Sequence, residues 1–179
     1  EYADNEVHIT ADVAFAVMHY YLATEDREFL FHYGIEILLE TARFWVDRVD
    51  CDSDGTYHLL NVMGPDEYSP MTRDNGFTVR MVKYNLDSAV EMAKFMRDEV
   101  PGKYRIVTEA LGISEKELGR FKEISAGLSL PYDAGRDLYL QSADFEQYAS
   151  IDLSQLWKDK KKAFGHFAPQ EKIYRTRCI

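Results

Sequence analysis

The stretch from Gly76 to Glu99 contains no proline, and the apolar residues Val82, Leu86, Ala89, Ala93, Met96 and Val100 recur along it at steps of four and three. That period places them on one face of a long α-helix, which Pro101-Gly102 then ends. A helix of this length needs partners along its whole buried side, so the rest of the chain is read for them. Ile9, Val13, Ala16, Tyr20 and Ala23 share one helical face. Phe15, Met18 and Leu22 make the other side apolar too, so this helix is expected to be buried nearly all round. A further helix is expected from about Asp26 to Val49 along Phe29, Tyr33, Ile37, Thr41 and Phe44, with Thr24 as its N-cap. Two more are expected over Lys103–Leu111 and Ser114–Gly127, the latter opened by a capping box of Ser114 and Glu117. Another is expected over Leu156–Phe164, with Lys160–Lys162 on its wet face. Thr56–Val62 reads as a short strand and 129–154 as an irregular loop with short helical turns. The fold class is therefore all-α, as stacked helix hairpins. No glycine-rich phosphate loop or strand–helix alternation supports a dinucleotide-binding sheet.

Composition narrows the partners. The chain has 179 residues, of which 46% are hydrophobic, enough for a sizeable core. Lys plus Arg number 21 against 31 Asp plus Glu, a net charge of −10. That balance argues against nucleic acid and against anionic lipid, both of which are bound through basic residues. No apolar run approaches the ~20 residues of a membrane-spanning helix. Cys51 and Cys178 are too few for a disulfide framework and read as reduced thiols, so a cytoplasmic location is expected. Cys51 has no cationic neighbour in sequence to make it a nucleophile. Aromatic residues reach 13%, a level that suits packed helix interfaces or walls that stack on sugars. Glu1 and Ile179 lack the marks of natural termini, and the chain is expected to be cut from a longer protein.

The chemistry concentrates between the strand and the long helix, in Gly64-Pro65-Asp66-Glu67-Tyr68. Adjacent carboxylates repel, and one held in a partly apolar setting can stay protonated and act as a general acid. Tyr68 offers a ring to desolvate Glu67. From residue types alone, an ordinary acidic turn is the commoner outcome. Asp74 or Asn75 is expected to cap the long helix. His8 and Asp12, one helical turn apart, are expected to form a hydrogen-bonded pair, since two ligands make no metal site.

Three segments in order resemble glycoside hydrolase family 65. They are residues 7–20 (Val-His-Ile-Thr-Ala-Asp-Val-Ala-Phe-Ala-Val-Met-His-Tyr), Gly34-Ile35-Glu36-Ile37-Leu38-Leu39-Glu40-Thr41-Ala42-Arg43-Phe44-Trp45, and Gly64-Pro65-Asp66-Glu67-Tyr68 followed by Asp74-Asn75. The family contains inverting phosphorylases of maltose, kojibiose, nigerose, trehalose and glucosylglycerol, and some acid trehalases. The resemblance implies part of an (α/α)6 toroid of six helix hairpins, with residues 1–179 the central part of one catalytic domain. It implies Glu67 as general acid and counts Asp74, Asn75, His8, Asp12 and Tyr68 among the substrate-binding candidates. It implies an α-linked glucose disaccharide or glucosylglycerol as substrate and inorganic phosphate as co-substrate. No metal or other cofactor is expected, and the whole protein is expected as a homodimer. Ser69 stands where many maltose phosphorylases have His, and Val79 where many members have Asn. Both positions lie on the implied aglycone side, so kojibiose, nigerose or glucosylglycerol is at least as well supported as maltose. The alternatives are an acid trehalase-like hydrolase and a non-catalytic helical-hairpin module. The chain alone is expected to be inactive, with stripes such as Val82, Leu86, Ala89 and Ala93 left open.

Overall fold

A computed structural model describes residues 2–150. The helix expected over 156–164 lies outside the described residues. A 3-10 turn (Tyr2–Asn5) leads into α1 (Ile9–Thr24). A short α2 (Arg27–Phe29), a π-helical turn (Leu30–Gly34) and α3 (Ile35–Arg48) follow one another without a break. The single helix expected over 26–49 is thus present but underwound by one turn of i→i+5 bonding, in which the Ile35 N–H donates to the Leu30 carbonyl. Then come α4 (Gly76–Glu99), α5 (Pro101–Leu111) and α6 (Glu115–Gly127).

The helix ends follow local chemistry. Glu25 is left-handed (φ 54°) and ends α1. That turn moves the next cap to Asp26, whose carboxylate accepts from the Phe29 N–H at 2.9 Å. Thr24 does not cap; its hydroxyl accepts from the Asp26 N–H at 3.2 Å. A charged side chain at a helix N-terminus also meets the positive end of the dipole, which favours Asp26. Ser114 accepts from the Glu117 N–H at 3.2 Å, which is half of the expected capping box. The other half is missing because the Glu117 carboxylate is taken by Arg43 of α3, whose Nε and Nη2 donate to it at 2.5 and 3.1 Å. That bond holds the Arg43 guanidinium well above its ordinary pKa. Pro101 opens α5 itself, because a first-turn position needs no N–H and suits its fixed φ.

α4 is the axis of the molecule. α1 runs parallel to it, as the pairings Phe15–Tyr84 and Tyr21–Phe95 show. α3 and α6 run antiparallel to it. Phe31, just before α3, meets Phe95 while Trp45 near its end donates to Asn85, and Lys83 and Arg97 of α4 reach Ser125 and Glu115 at opposite ends of α6. The result is two layers of hairpins, with the loops that join α3 to α4 and follow α6 at the N-terminal end of α4.

Burial corrects the expectation at two helices. Val82, Leu86, Ala89 and Ala93 are fully buried, because α1, α3 and α6 close around α4. α1 is the helix left open. Ala11, Ala14, Val17 and Met18 pack inward, whereas Ile9, Val13, Ala16, Tyr20 and Ala23 are exposed. Ala11 and Ala14 permit close helix approach on the inward face, and Ile9, Val13 and Tyr20 face out.

The short strand reduces to β2 (Tyr57–His58), paired antiparallel with β1 (Asp50–Cys51). Val62 makes an isolated bridge to Thr72 instead of extending it. In the segment read as irregular, β3 (Tyr132–Asp133) and β4 (Leu138–Tyr139) form a small hairpin, followed by the 3-10 turn Phe145–Gln147. The hairpin is held by its turn: the Asp133 carboxylate accepts from the Gly135 and Arg136 N–H groups and pairs with the Arg136 side chain. None of this carries an alternating apolar pattern, so periodicity could not reveal it.

Trp45 is fully buried, and its indole N–H donates to Asn85 Oδ1 at 3.1 Å across the α3–α4 contact. Asn85→Ala removes that acceptor and leaves the indole N–H buried without a partner. The expected cost is about 1–3 kcal/mol of stability in urea denaturation. An unchanged midpoint would show that the bond contributes nothing.

Candidate active site

The loop from Leu59 to Asn75 begins and ends at one buried point. Asp74 is 1% exposed and sits at φ 49°. Its Oδ1 accepts from the Leu59 N–H at 2.9 Å, and its Oδ2 faces His58 Nδ1 at 2.7 Å. The Asp74 N–H donates back to the Leu59 carbonyl at 2.8 Å. His58 also faces Asp52 at 3.3 Å through Nε2, and the Arg73 guanidinium lies 3.4 Å from both ring nitrogens. Asp74 is therefore not the cap of α4 but the clasp that closes the loop. Asn75 is the cap: its Oδ1 accepts from the Thr78 N–H and from the Thr78 hydroxyl, each at 3.1 Å. The sequence left the choice between them open, and the structure divides the two tasks.

Gly64 is required by this arrangement. A Cβ there would stand 2.5 Å from Asn75 Oδ1, so the loop can cross the capping side chain only with glycine. Inside the loop, Val62 and Thr72 exchange both backbone bonds, at 3.2 and 2.8 Å. Residues 63–71 are thus a short excursion from a fixed base.

Within that excursion the two adjacent carboxylates have different fates. Asp66 is committed on both oxygens. Oδ1 accepts from the Tyr68 N–H at 3.0 Å, and Oδ2 accepts from Nε2 of Gln141. Its carbonyl accepts from the Ser69 N–H at 3.2 Å. Glu67 is exposed and has no hydrogen bond or ion pair among the described residues. Tyr68 is half-buried beside it. The turn holds one carboxylate as structure and presents the other.

His8 and Asp12 form the expected pair, with Nδ1 and Oδ2 2.8 Å apart. The His8 ring also meets Phe77 edge-on, with centroids 5.5 Å apart. Asn5 donates to the Asn61 carbonyl at 2.6 Å, and its own carbonyl accepts from the Met63 N–H at 2.8 Å. These contacts bring the start of α1 to the same end of the bundle as Glu67. Asp74 and Asn75 also belong to this end, but their side chains are buried and engaged. Ser69 and Val79 are both buried as well, so the Val79 side chain is a packing element of α4 and not a surface toward a ligand. Among the described residues no group of three His, Cys, Asp or Glu is placed to hold a metal ion. No helix of the described residues is long and apolar enough to cross a membrane.

Sequence reasoning missed His58 and Gln141. His58 follows Tyr57 in a strand of two residues, and Gln141 lies in the unpatterned segment after β4. Neither carries a local signal, because each is defined by a partner far away in the chain.

A family model described as "Glycosyl hydrolase family 65 central catalytic domain" matches residues 1–179. The chain belongs to glycoside hydrolase family 65. It is 37% identical over 146 residues to a kojibiose phosphorylase of Thermoanaerobacter brockii, covering 81% of this chain and 18% of that protein. It is 36% identical over 164 residues to an α,α-trehalose phosphorylase of the same organism, covering 90% of this chain and 21% of that one. A solved structure described as "Putative kojibiose phosphorylase from human microbiome" superposes with a TM-score of 0.78 at 27% identity, over 93% of this chain and 24% of that one. The layered hairpins are accordingly part of the (α/α)6 toroid of this family. The chain spans about a fifth of the length of the curated relatives it matches.

The division between clasp and cap is testable by stability. Asn75→Ala loses one cap, worth about 1 kcal/mol. Asp74→Ala leaves both the Leu59 N–H and the His58 ring buried without their acceptor, at about 1–3 kcal/mol each, and should be the more damaging change. Thermal melting of the two variants in the reverse order would refute the assignment.

Proposed function

We propose that this chain carries the general acid of an inverting phosphorylase of α-glucosides, and that the acid is Glu67. The observation that carries the reading is the unequal use of the Asp66–Glu67 pair. Both Asp66 oxygens accept bonds from within the protein, while Glu67 projects from a turn fixed on both sides and has no hydrogen bond or ion pair among the described residues. The kinship with kojibiose and trehalose phosphorylases supports the substrate class.

In this mechanism the protonated Glu67 gives its proton to the glycosidic oxygen as the bond from that oxygen to the anomeric carbon breaks. An oxygen of inorganic phosphate bonds to the anomeric carbon from the opposite face. The products are β-glucose 1-phosphate and the free acceptor sugar, and Glu67 is left as a carboxylate to be reprotonated. Phosphate takes the place of the activated water in an inverting hydrolase, so no second carboxylate is needed as base. Glu67 must be protonated to act, and its exposure among the described residues gives it no apolar setting. The substrate and the rest of the toroid are proposed to enclose it, with residues 1–179 as the central part of one catalytic domain. His8, Asp12 and Tyr68 remain as candidates for substrate contact at this end. Asp74 and Asn75 serve by holding the loop. Kojibiose is the first disaccharide to test, followed by trehalose, nigerose and glucosylglycerol.

The experiment is to incubate the full-length protein with these α-glucosides, with and without phosphate. Phosphate-dependent release of β-glucose 1-phosphate is expected. Phosphate-independent release of glucose would make it a hydrolase, and no turnover of any of them would remove the enzymatic reading. Glu67→Gln should lower turnover of the active disaccharide by about 10²–10⁴-fold, the usual contribution of a positioned acid, with folding intact by circular dichroism. Turnover of that variant within a few-fold of wild type would rule Glu67 out.

A further inference from the structure

The Glu67 turn is tied not only to its own loop but also to the chain that returns after β4. The Gly76 N–H, at the first residue of α4, donates to the Gln141 carbonyl at 2.8 Å. The Ala143 N–H donates to the Arg73 carbonyl at 2.9 Å. The backbone passes so close that a Cβ at Gly76 would lie 2.6 Å from the Leu140 carbonyl oxygen. Gln141 is thus held by its main chain beside the end of the loop, and its side chain reaches back across the turn. Nε2 donates to Asp66 Oδ2 and lies 3.4 Å from the Ser69 hydroxyl. A carboxylate can only accept, so the amide must present its nitrogen here.

We propose that Gln141 is a positioning residue for the general acid: through its bond to Asp66 it fixes the orientation of the turn that carries Glu67. This rests on the reading of Glu67 given above. Asp66 Oδ1 holds the Tyr68 N–H and the Asp66 carbonyl holds the Ser69 N–H, so the Asp66 side chain and backbone together set the path through Glu67. Gln141 holds the other oxygen of that side chain. Without it, Asp66 keeps its local bonds but is free to swing, and Glu67 swings with it. A misplacement of about 1 Å can reduce a rate by about 10²-fold.

The test uses the full-length protein and Gln141→Glu, which sets a second carboxylate against Asp66. The two can bond only by sharing a proton, so the contact fails at neutral pH and returns as the pH falls. A drop in kcat of about 10- to 100-fold is expected on a disaccharide, with KM little changed and the loss shrinking toward acid pH. The pair Asp66→Asn with Gln141→Glu restores an N–H···O⁻ bond with the charge moved across it, and should recover most of the activity lost in Gln141→Glu. α-Glucosyl fluoride supplies a leaving group that needs little proton help. If Gln141 acts through the acid, its replacement should spare turnover of the fluoride, whereas general damage to the site would lower both substrates alike.

Equal losses on disaccharide and fluoride would overturn the proposal. So would a double variant no better than Gln141→Glu, or a single variant within about threefold of wild type. Amide hydrogen exchange at Tyr68 and Ser69 reads the turn without any assay, and should quicken in Gln141→Glu while α4 stays protected. If the wild-type protein turns over no α-glucoside, the general-acid reading falls. Unchanged exchange in the variant would overturn the positioning role on its own.

Discussion

The buried Asp74 carboxylate is the constraint on which the rest of this end of the molecule depends. It has an oxygen for the Leu59 N–H at the start of the loop and another for His58 just before it. The chain between can therefore leave the bundle and come back to the same point. A carboxylate buried to this degree is tolerable only when donors surround it, and the Leu59 N–H, the His58 ring and Arg73 at 3.6 Å do so. Because the base of the loop is closed, Asn75 can cap α4 in a fixed register. Because the cap is fixed, Gly64 must be glycine, and the Pro65–Tyr68 turn starts from one defined direction.

The helices serve the same end by a different means. α4 is enclosed by α1, α3 and α6, so its N-terminus is a rigid platform and not a frayed helix end. α1 contributes Ala11, Ala14, Val17 and Met18 to that enclosure and leaves Ile9, Val13 and Tyr20 exposed. The arrangement suits a bundle that is one arc of a toroid, where a parallel helix has neighbours on two sides. It also explains why a stripe with perfect helical period need not be the face buried against the nearest partner. Periodicity says that a face is apolar, and packing geometry decides which neighbour it meets.

What the sequence disclosed follows from that distinction. The helices from Ile9, around Ile35, from Gly76, from Pro101 and from Glu115 were all legible, because each repeats its pattern over several turns. The cap at Ser114, the His8–Asp12 pair and the loop bearing Glu67 were legible too, because their partners lie within four residues or in a contiguous motif. Asp74 as a clasp was not, since its acceptor role is defined by Leu59 and His58, which precede it by a whole loop. The β3–β4 hairpin was hidden because two-residue strands have no period to read. Glu117 shows the opposite failure: a local signal was present, but Arg43, distant in sequence, took the side chain the capping box required.

The Asp66–Glu67 turn combines these rules. Two neighbouring carboxylates cannot both be useful as acids, because ionisation of one opposes ionisation of the other and both compete for the same donors. Here the donors are distributed unevenly. The Tyr68 N–H and Gln141 Nε2 both serve Asp66, and no described residue serves Glu67. Asp66 is thereby tied into the fold through both of its oxygens. Glu67 is left as the one of the pair that no described residue holds, which is why the proposed mechanism assigns the acid role to it. Under that proposal, its selection as the reactive carboxylate rests less on what surrounds it than on what has been committed to its neighbour.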